Sequence, residues 1–263
     1  MDRNQWIVVL GAVALFFAMY FGCDTNPDKH KLIERQRLEN VESTSISSLL
    51  MDAKKDISPS AGSSIMSMEM DLNDAKEEDA KVEALKSLSS LWYQFEKPAI
   101  AGHYAEQVAA IENNEEAWSI AGTTFSICVQ RAQEKKVKDY CTDHAIKALE
   151  NASSLNPSNL QHQINLALVY AENPPSDNPM KGILMLVNLN KQDPENVSVL
   201  NQLGRLAIKT GQFEKAIERL SKAVEIEPDN ATSNCLLGKA YEEAKDVAKA
   251  KIYLTKCEDL STD

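Results

Sequence analysis

The chain has 263 residues, a formal net charge of −11, 6% aromatic residues and only nine glycines. That length suits one extended domain plus a short accessory segment, and so few aromatics and glycines fit an all-helical chain better than a sandwich or barrel. The acidic balance argues against a nucleic-acid backbone or an anionic membrane surface as the main partner.

Residues 6–22 read WIVVLGAVALFFAMYFG, without a charge. At about 1.5 Å per residue a helix of this length covers roughly 26 Å, just short of a hydrocarbon core of about 30 Å. Trp6 and Tyr20 suit the two interfaces. We therefore expect a tail over 1–5 and an uncleaved single-pass anchor over 6–22. The alternative is a lipoprotein signal. Cys23 after Gly22 resembles a lipidated position, although Tyr20 and Phe21 depart from the usual lipobox residues. A cleaved signal peptide is disfavoured, because Tyr20 and Phe21 make a poor cleavage site. Orientation rests on two opposed signals. Arg3 alone precedes the segment while Lys29, Lys31, Arg35 and Arg37 follow it, which would keep the body cytoplasmic. A short N-terminal apolar segment ordinarily acts as an export signal, and Asp24 and Asp28 intervene. The balance falls slightly toward a periplasmic body.

Residues 23–75 read as a polar tether with short helices. Ile46 to Lys55 follows the run Ser43, Thr44, Ser45, which offers an N-cap. Pro59, Ser60, Gly62, Ser63 and Ser64 are expected to break the chain. Met66, Met68 and Met70 alternate; a Cu(I) thioether site is the sharp reading, a loosely packed amphipathic stretch the bland and preferred one. The acids of residues 74–79 suit a helix start.

Self-similarity then appears. Gly204 and Gly238, Leu203 and Leu237, Ala216 and Ala250, and Leu220 and Leu254 are each 34 residues apart. Residues 197–230 supply Leu200, Leu203, Gly204, Ala207, Gly211, Ala216, Leu220, Ala223 and Pro228; residues 231–263 supply Asn234, Leu237, Gly238, Tyr241, Ala250, Leu254 and Cys257. The small residues read as sites of close helix crossing, and Pro228 as a stop. Upstream the order persists more loosely over 160–196, with a turn swollen by three prolines, over 115–159, where QRAQEKKVKDYC reads as a longer first helix and a longer turn, and over 77–114, where a helix ends near Phe95 and another opens at Pro98. Ile217 and Val224 should face the next hairpin, and their equivalents Lys251 and Glu258 read as the charged face of a cap.

This period and these landmarks resemble the tetratricopeptide repeat. The whole chain is similar to bacterial membrane-anchored tetratricopeptide-repeat proteins, and LWYQFEKPAIAGHYAEQVA, AWSIAGTT and YAENPPSDNPMKGILML look like a subgroup of them. The resemblance implies an α-solenoid of about five helical hairpins over 76–263 and carries no enzymatic activity with it. It implies a scaffold or adaptor that binds other proteins on the concave face lined by first helices. Self-association is a further option.

No phosphate loop, zinc-protease motif or nucleophile elbow is present in the sequence. No cofactor is expected. The five cysteines (Cys23, Cys128, Cys141, Cys235, Cys257) are dispersed, and the last four read as buried small apolar residues. A Cys235–Cys257 disulfide is the alternative if the body is exported. Cys141 and His144 are half a metal site at best, and metal handling in the cell envelope stays the alternative function. The expected concave face comprises Gln161, Ile164, Leu168 and Glu172, then Ser198, Asn201, Arg205, Ile208 and Lys209, then Thr232, Cys235, Lys239, Glu242 and Glu243. Asn201, Arg205, Lys209 and Lys239 form the candidate peptide-binding patch, whose Asn–Arg spacing resembles that of carboxylate-clamp repeats.

Overall fold

The computed structural model describes residues 45–261. Within that range the chain is all-helical: α1 (Ile46–Lys55), α2 (Pro59–Asp74), α3 (Glu78–Gln94), α4 (Pro98–Glu112), α5 (Glu115–Arg131), α6 (Lys135–Leu155), α7 (Leu160–Glu172), α8 (Lys181–Gln192), α9 (Val197–Lys209), α10 (Phe213–Ile226), α11 (Ala231–Glu243) and α12 (Val247–Ser261). Among the described residues no helix is long and apolar enough to cross a membrane. The expected anchor over 6–22 and the lipidation candidate Cys23 lie outside the described residues.

Local chemistry starts the helices. Asn114, Asn159, Asn196 and Asn230 cap α5, α7, α9 and α11, each accepting a backbone N–H from the first turn. Four successive first helices thus begin with the same device, which satisfies a donor that the helix leaves open. Three hairpin turns also share a backbone. At Glu96, Gly211 and Lys245 φ is positive, at 56°, 72° and 66°. In each, the residue after the left-handed one donates to the carbonyl five positions back: Lys97 to Trp92, Gln212 to Ala207 and Asp246 to Tyr241. This is the Schellman closure. The 34-residue spacing of Gly211 and Lys245 is therefore a spacing of backbone geometry as well as of side chains.

Several expectations are corrected. Pro59 does not break the chain. It stands in the first turn of α2 behind the Ser58 cap, where its missing N–H costs nothing. Helices α1 and α2 are not a free tether either. Ala53 and Ile65 are buried in the same core as Leu85, Leu88, Trp92 and Ala109, with Leu49, Leu50 and Leu72 packed against it. The extra residues of 115–159 do not lengthen the turn, which spans only 132–134; they lengthen α5 and α6 to 17 and 21 residues.

From α2 onward each helix packs on the next in the chain, while α1 packs on α4. From α5 onward each first helix also packs on the next first helix, α5 on α7, α7 on α9 and α9 on α11. The second helices from α6 onward have no matching contact with one another. First helices therefore form the tighter layer of a solenoid.

Candidate functional site

One polar tie crosses each junction of the first-helix layer. His162 Nε2 meets Glu115 Oε1 at 2.7 Å between α7 and α5. Lys209 Nζ donates to Glu172 Oε2 at 2.8 Å between α9 and α7. Ser233 Oγ donates to Asn201 Oδ1 at 2.9 Å between α11 and α9. Two of the four expected patch residues are thus spent on the fold. Asn201 is 4% exposed and serves the α9–α11 contact, which removes it from any open surface. Lys209 gives its charge to Glu172.

The other two have no partner among the described residues. Among the described residues the Arg205 guanidinium makes no hydrogen bond or ion pair, and its Nε is covered by the protein without an acceptor. One turn earlier on α9, Gln202 Oε1 is buried without a donor. Lys239, at the repeat-equivalent position on α11, is exposed. Of the remaining expected face, Ser198, Thr232, Glu242, Glu243 and Gln161 are exposed, whereas Ile164 is buried in the core. Cys235 is bonded to Cys257.

A second surface was not read from the sequence. A groove of about 440 Å³ opens between α3, α4 and α5, with Ser90, Tyr93, Val108, Glu116 and Ile120 among its walls. Each helix contributes one face, since the lining positions of α3 and α4 fall at helical spacing. The signal was present in that spacing, but hairpin 77–114 lacks the landmarks that would have set its register.

The metal readings do not survive the geometry. Met66 and Met70 are exposed while Met68 packs on the core, as expected for alternate residues on a helix, which point about 200° apart. Cys141 is bonded to Cys128, and His144 instead meets Glu106 Oε2 at 2.6 Å and stacks on Phe125 at 5.0 Å. Among the described residues no group of three or more His, Cys, Asp and Glu side chains could hold a metal ion. Burial pushes the Glu106 carboxyl up, but hydrogen bonds from His144 and Lys147 outweigh it and hold the group below its ordinary range. Hydrogen bonds from Asn159, Asn156 and His162 hold Glu115 down to about 2. Both acids are fixed anions that brace the hairpins.

The last four cysteines form two disulfides, Cys128–Cys141 and Cys235–Cys257, and are not independent apolar residues. Each bond joins the two helices of one hairpin. Cys128 and Cys141 are 2% and 0% exposed, whereas Cys235 and Cys257 are partly exposed.

Residues 204–244 match the family model described as TPR repeat, and residues 231–263 match that described as Tetratricopeptide repeat. The chain therefore carries tetratricopeptide repeats at 204–263. No curated protein matches it. Among solved structures, MamA 41-end from Desulfovibrio magneticus RS-1 is 19% identical with a TM-score of 0.43, covering 72% of this chain and 98% of that one. The MamA RS-1 ArsTM double mutant is 18% identical with a TM-score of 0.43, covering 72% and 97%. YrrB, a TPR protein with an unusual peptide-binding site, is 15% identical with a TM-score of 0.39, covering 74% and 93%.

Proposed function

We propose that this chain is a non-catalytic interaction scaffold, tethered to a membrane through residues 6–22, whose first-helix layer holds a carboxylate-bearing segment of another protein. The observation that carries the reading is Arg205: a guanidinium on that layer with a shielded Nε and no acceptor. A charge-assisted hydrogen bond is roughly twice as strong as a neutral one, so a partner that supplies an acceptor to the outer N–H groups of this guanidinium gains affinity. An acidic side chain or a C-terminus supplies it, and Lys239 adds a second cation at the equivalent repeat position.

The two disulfides support an exported body, because such bonds persist in oxidising compartments and are rare in the cytosol. With the uncharged segment 6–22 ahead of it, that favours an anchored body on the periplasmic side. Crosslinking in membranes followed by capture is the test. Partners recovered by the native protein should be lost when Arg205→Glu and Lys239→Glu are combined. Recovery of the same partners by that double variant would sink the reading. A C-terminal reporter active only in the cytoplasm would overturn the export part alone.

A further inference from the structure

Three helix faces meet where the first-helix layer is interrupted. Helices α3 and α5 lack the direct packing that joins α5, α7, α9 and α11. Between them the surface of α4 forms a floor, with Ala105 and Val108 only 4% and 5% exposed. Two large apolar side chains flank this floor and remain half open to water: Tyr93 on α3 and Ile120 on α5, 47% and 51% exposed. The groove is longer than one side chain. Its lining runs from Lys86 to Tyr93 on α3 and from Glu116 to Thr124 on α5, which at 1.5 Å per residue is about 10–12 Å, or about two helical turns.

Its two ends differ. Because α4 runs antiparallel to α3 and α5, Lys86, Glu112 and Glu116 share one end, and Tyr93, Ala105 and Thr124 the other. The charged end is unbalanced. Lys86 Nζ lies 2.7 Å from Glu112 Oε1 and 3.8 Å from Glu83 Oε1. The Glu112 hydrogen bond raises the Lys86 pKa, and Glu116 adds to the surrounding negative field. Glu116 itself is exposed and, among the described residues, makes no hydrogen bond or ion pair. Three carboxylates thus surround one committed ammonium.

We propose that this groove docks a short amphipathic helix of a partner protein, which lays aliphatic side chains against Val108, Ala117 and Ile120 and sets a Lys or Arg against Glu116. The groove's length matches the apolar anchors that such a helix presents one turn apart. The unpaired carboxylate fixes orientation and sign, which is what rim charges contribute, rather than much affinity. This surface is distinct from the α9–α11 patch and selects the opposite charge, so one scaffold would hold two different segments at once.

The test uses the full chain in detergent micelles and fluorescence anisotropy. The probe is a fluorescein-labelled amphipathic Leu/Ala peptide carrying two lysines beyond its apolar face, beside the same peptide with glutamates in their place. The lysine peptide should bind, and the glutamate peptide about tenfold more weakly. Ile120→Glu should weaken lysine-peptide binding by about tenfold or more, and Glu116→Lys should invert the preference. Both positions are exposed, and circular dichroism confirms that the variants stay helical. Lys191→Glu, an exposed reversal on α8, is the control and should change nothing. Failure of both peptides to bind, equal binding of the two, or indifference to Ile120→Glu overturns the proposal. So does light scattering that shows a dimer broken by Ile120→Glu, which assigns the groove to a second copy. An apolar naphthalene dye that the lysine peptide fails to displace assigns it to a small molecule.

Discussion

Leu220 sits on Gly204. A Cβ added to Gly204 would lie 2.5 Å from Leu220 Cγ and 2.6 Å from its Cδ2. Leu220 is fully buried and has no room to retreat. The same contact joins Gly238 to Leu254 and Gly122 to Leu149, at 2.8 and 2.7 Å. The missing side chain is what lets the second helix lie across the first, and it recurs in three hairpins.

Alanine at these glycines therefore has a graded outcome. Gly204→Ala should destabilise by about 1–3 kcal/mol of overpacking, offset by up to about 1 kcal/mol of helix propensity. Gly182→Ala should cost more, because its Cβ would meet backbone: Ala167 O and, at 2.5 Å, Ala171 N. Backbone cannot rotate aside. Gly62→Ala in α2 meets nothing nearer than Ile57 Cδ1 at 4.0 Å and should stabilise by about 0.5–1 kcal/mol. Urea unfolding of the three variants tests the order, and a neutral Gly182→Ala would contradict the crossing geometry.

Glu115 is held by Asn156 and Asn159 of its own hairpin and by His162 of the next, and its pKa falls from 4.5 to about 2. A carboxylate whose folded pKa is depressed stabilises the fold above its unfolded pKa. That contribution is lost as pH drops through the folded value. Glu115→Gln should therefore be less stable than the native chain at neutral pH. The gap between them should close as pH falls from about 4.5 to about 2. Thermal midpoints of both proteins across a pH series measure this, and a gap independent of pH would remove Glu115 from the account.

The two disulfides should respond to a dithiol reductant in sequence. Exchange needs a thiolate to reach sulfur along the bond, and access differs. Cys235–Cys257 is partly exposed and should open first; Cys128–Cys141 is buried and should persist until its hairpin opens. Alkylation followed by intact mass counts the thiols released. Each bond closes a short loop, 13 and 22 residues, for which chain entropy gives about 3 kcal/mol. A paired Cys235→Ser and Cys257→Ser variant should lose stability of that order, whereas simultaneous release of four thiols from the native chain would contradict the difference in access.

Much of this fold was legible because period and residue type agree where landmarks are strong. The 34-residue spacing of Gly204 and Gly238 marks a crossing, and the stops at Phe95 and Pro98 mark a turn. What escaped was decided by tertiary contact. Pro59 reads as a breaker until Ser58 caps the helix that it opens. Ala53 and Ile65 do not show in a Ser-rich run that they will be buried. Glu96 and Lys245 hide a turn that Gly211 announces, because the surrounding hairpin holds them in a conformation that favours glycine. The Cys235–Cys257 disulfide was legible as an alternative, and the structure forms it; Cys128–Cys141 was not, since its pairing is a property of the folded hairpin. Of the expected patch, helical spacing placed Asn201 and Arg205 on one face, but spacing cannot tell an open face from one covered by the next repeat.

That distinction makes Asn201 a test of structure against binding. Its Oδ1 accepts from Ser233 Oγ, and both residues are buried between α9 and α11. Removing the amide leaves the hydroxyl without a partner, at a cost of about 1–3 kcal/mol. Ser233→Ala strands the amide oxygen at a similar cost. Asn201→Ala combined with Ser233→Ala removes both groups and should be less harmful than the two single costs added together. Denaturant midpoints of the three proteins give that coupling directly. Captured partners should be unchanged in any of the three that remains folded, because neither side chain faces the surface. Loss of partner capture from a variant of native stability would put Asn201 back in the binding patch.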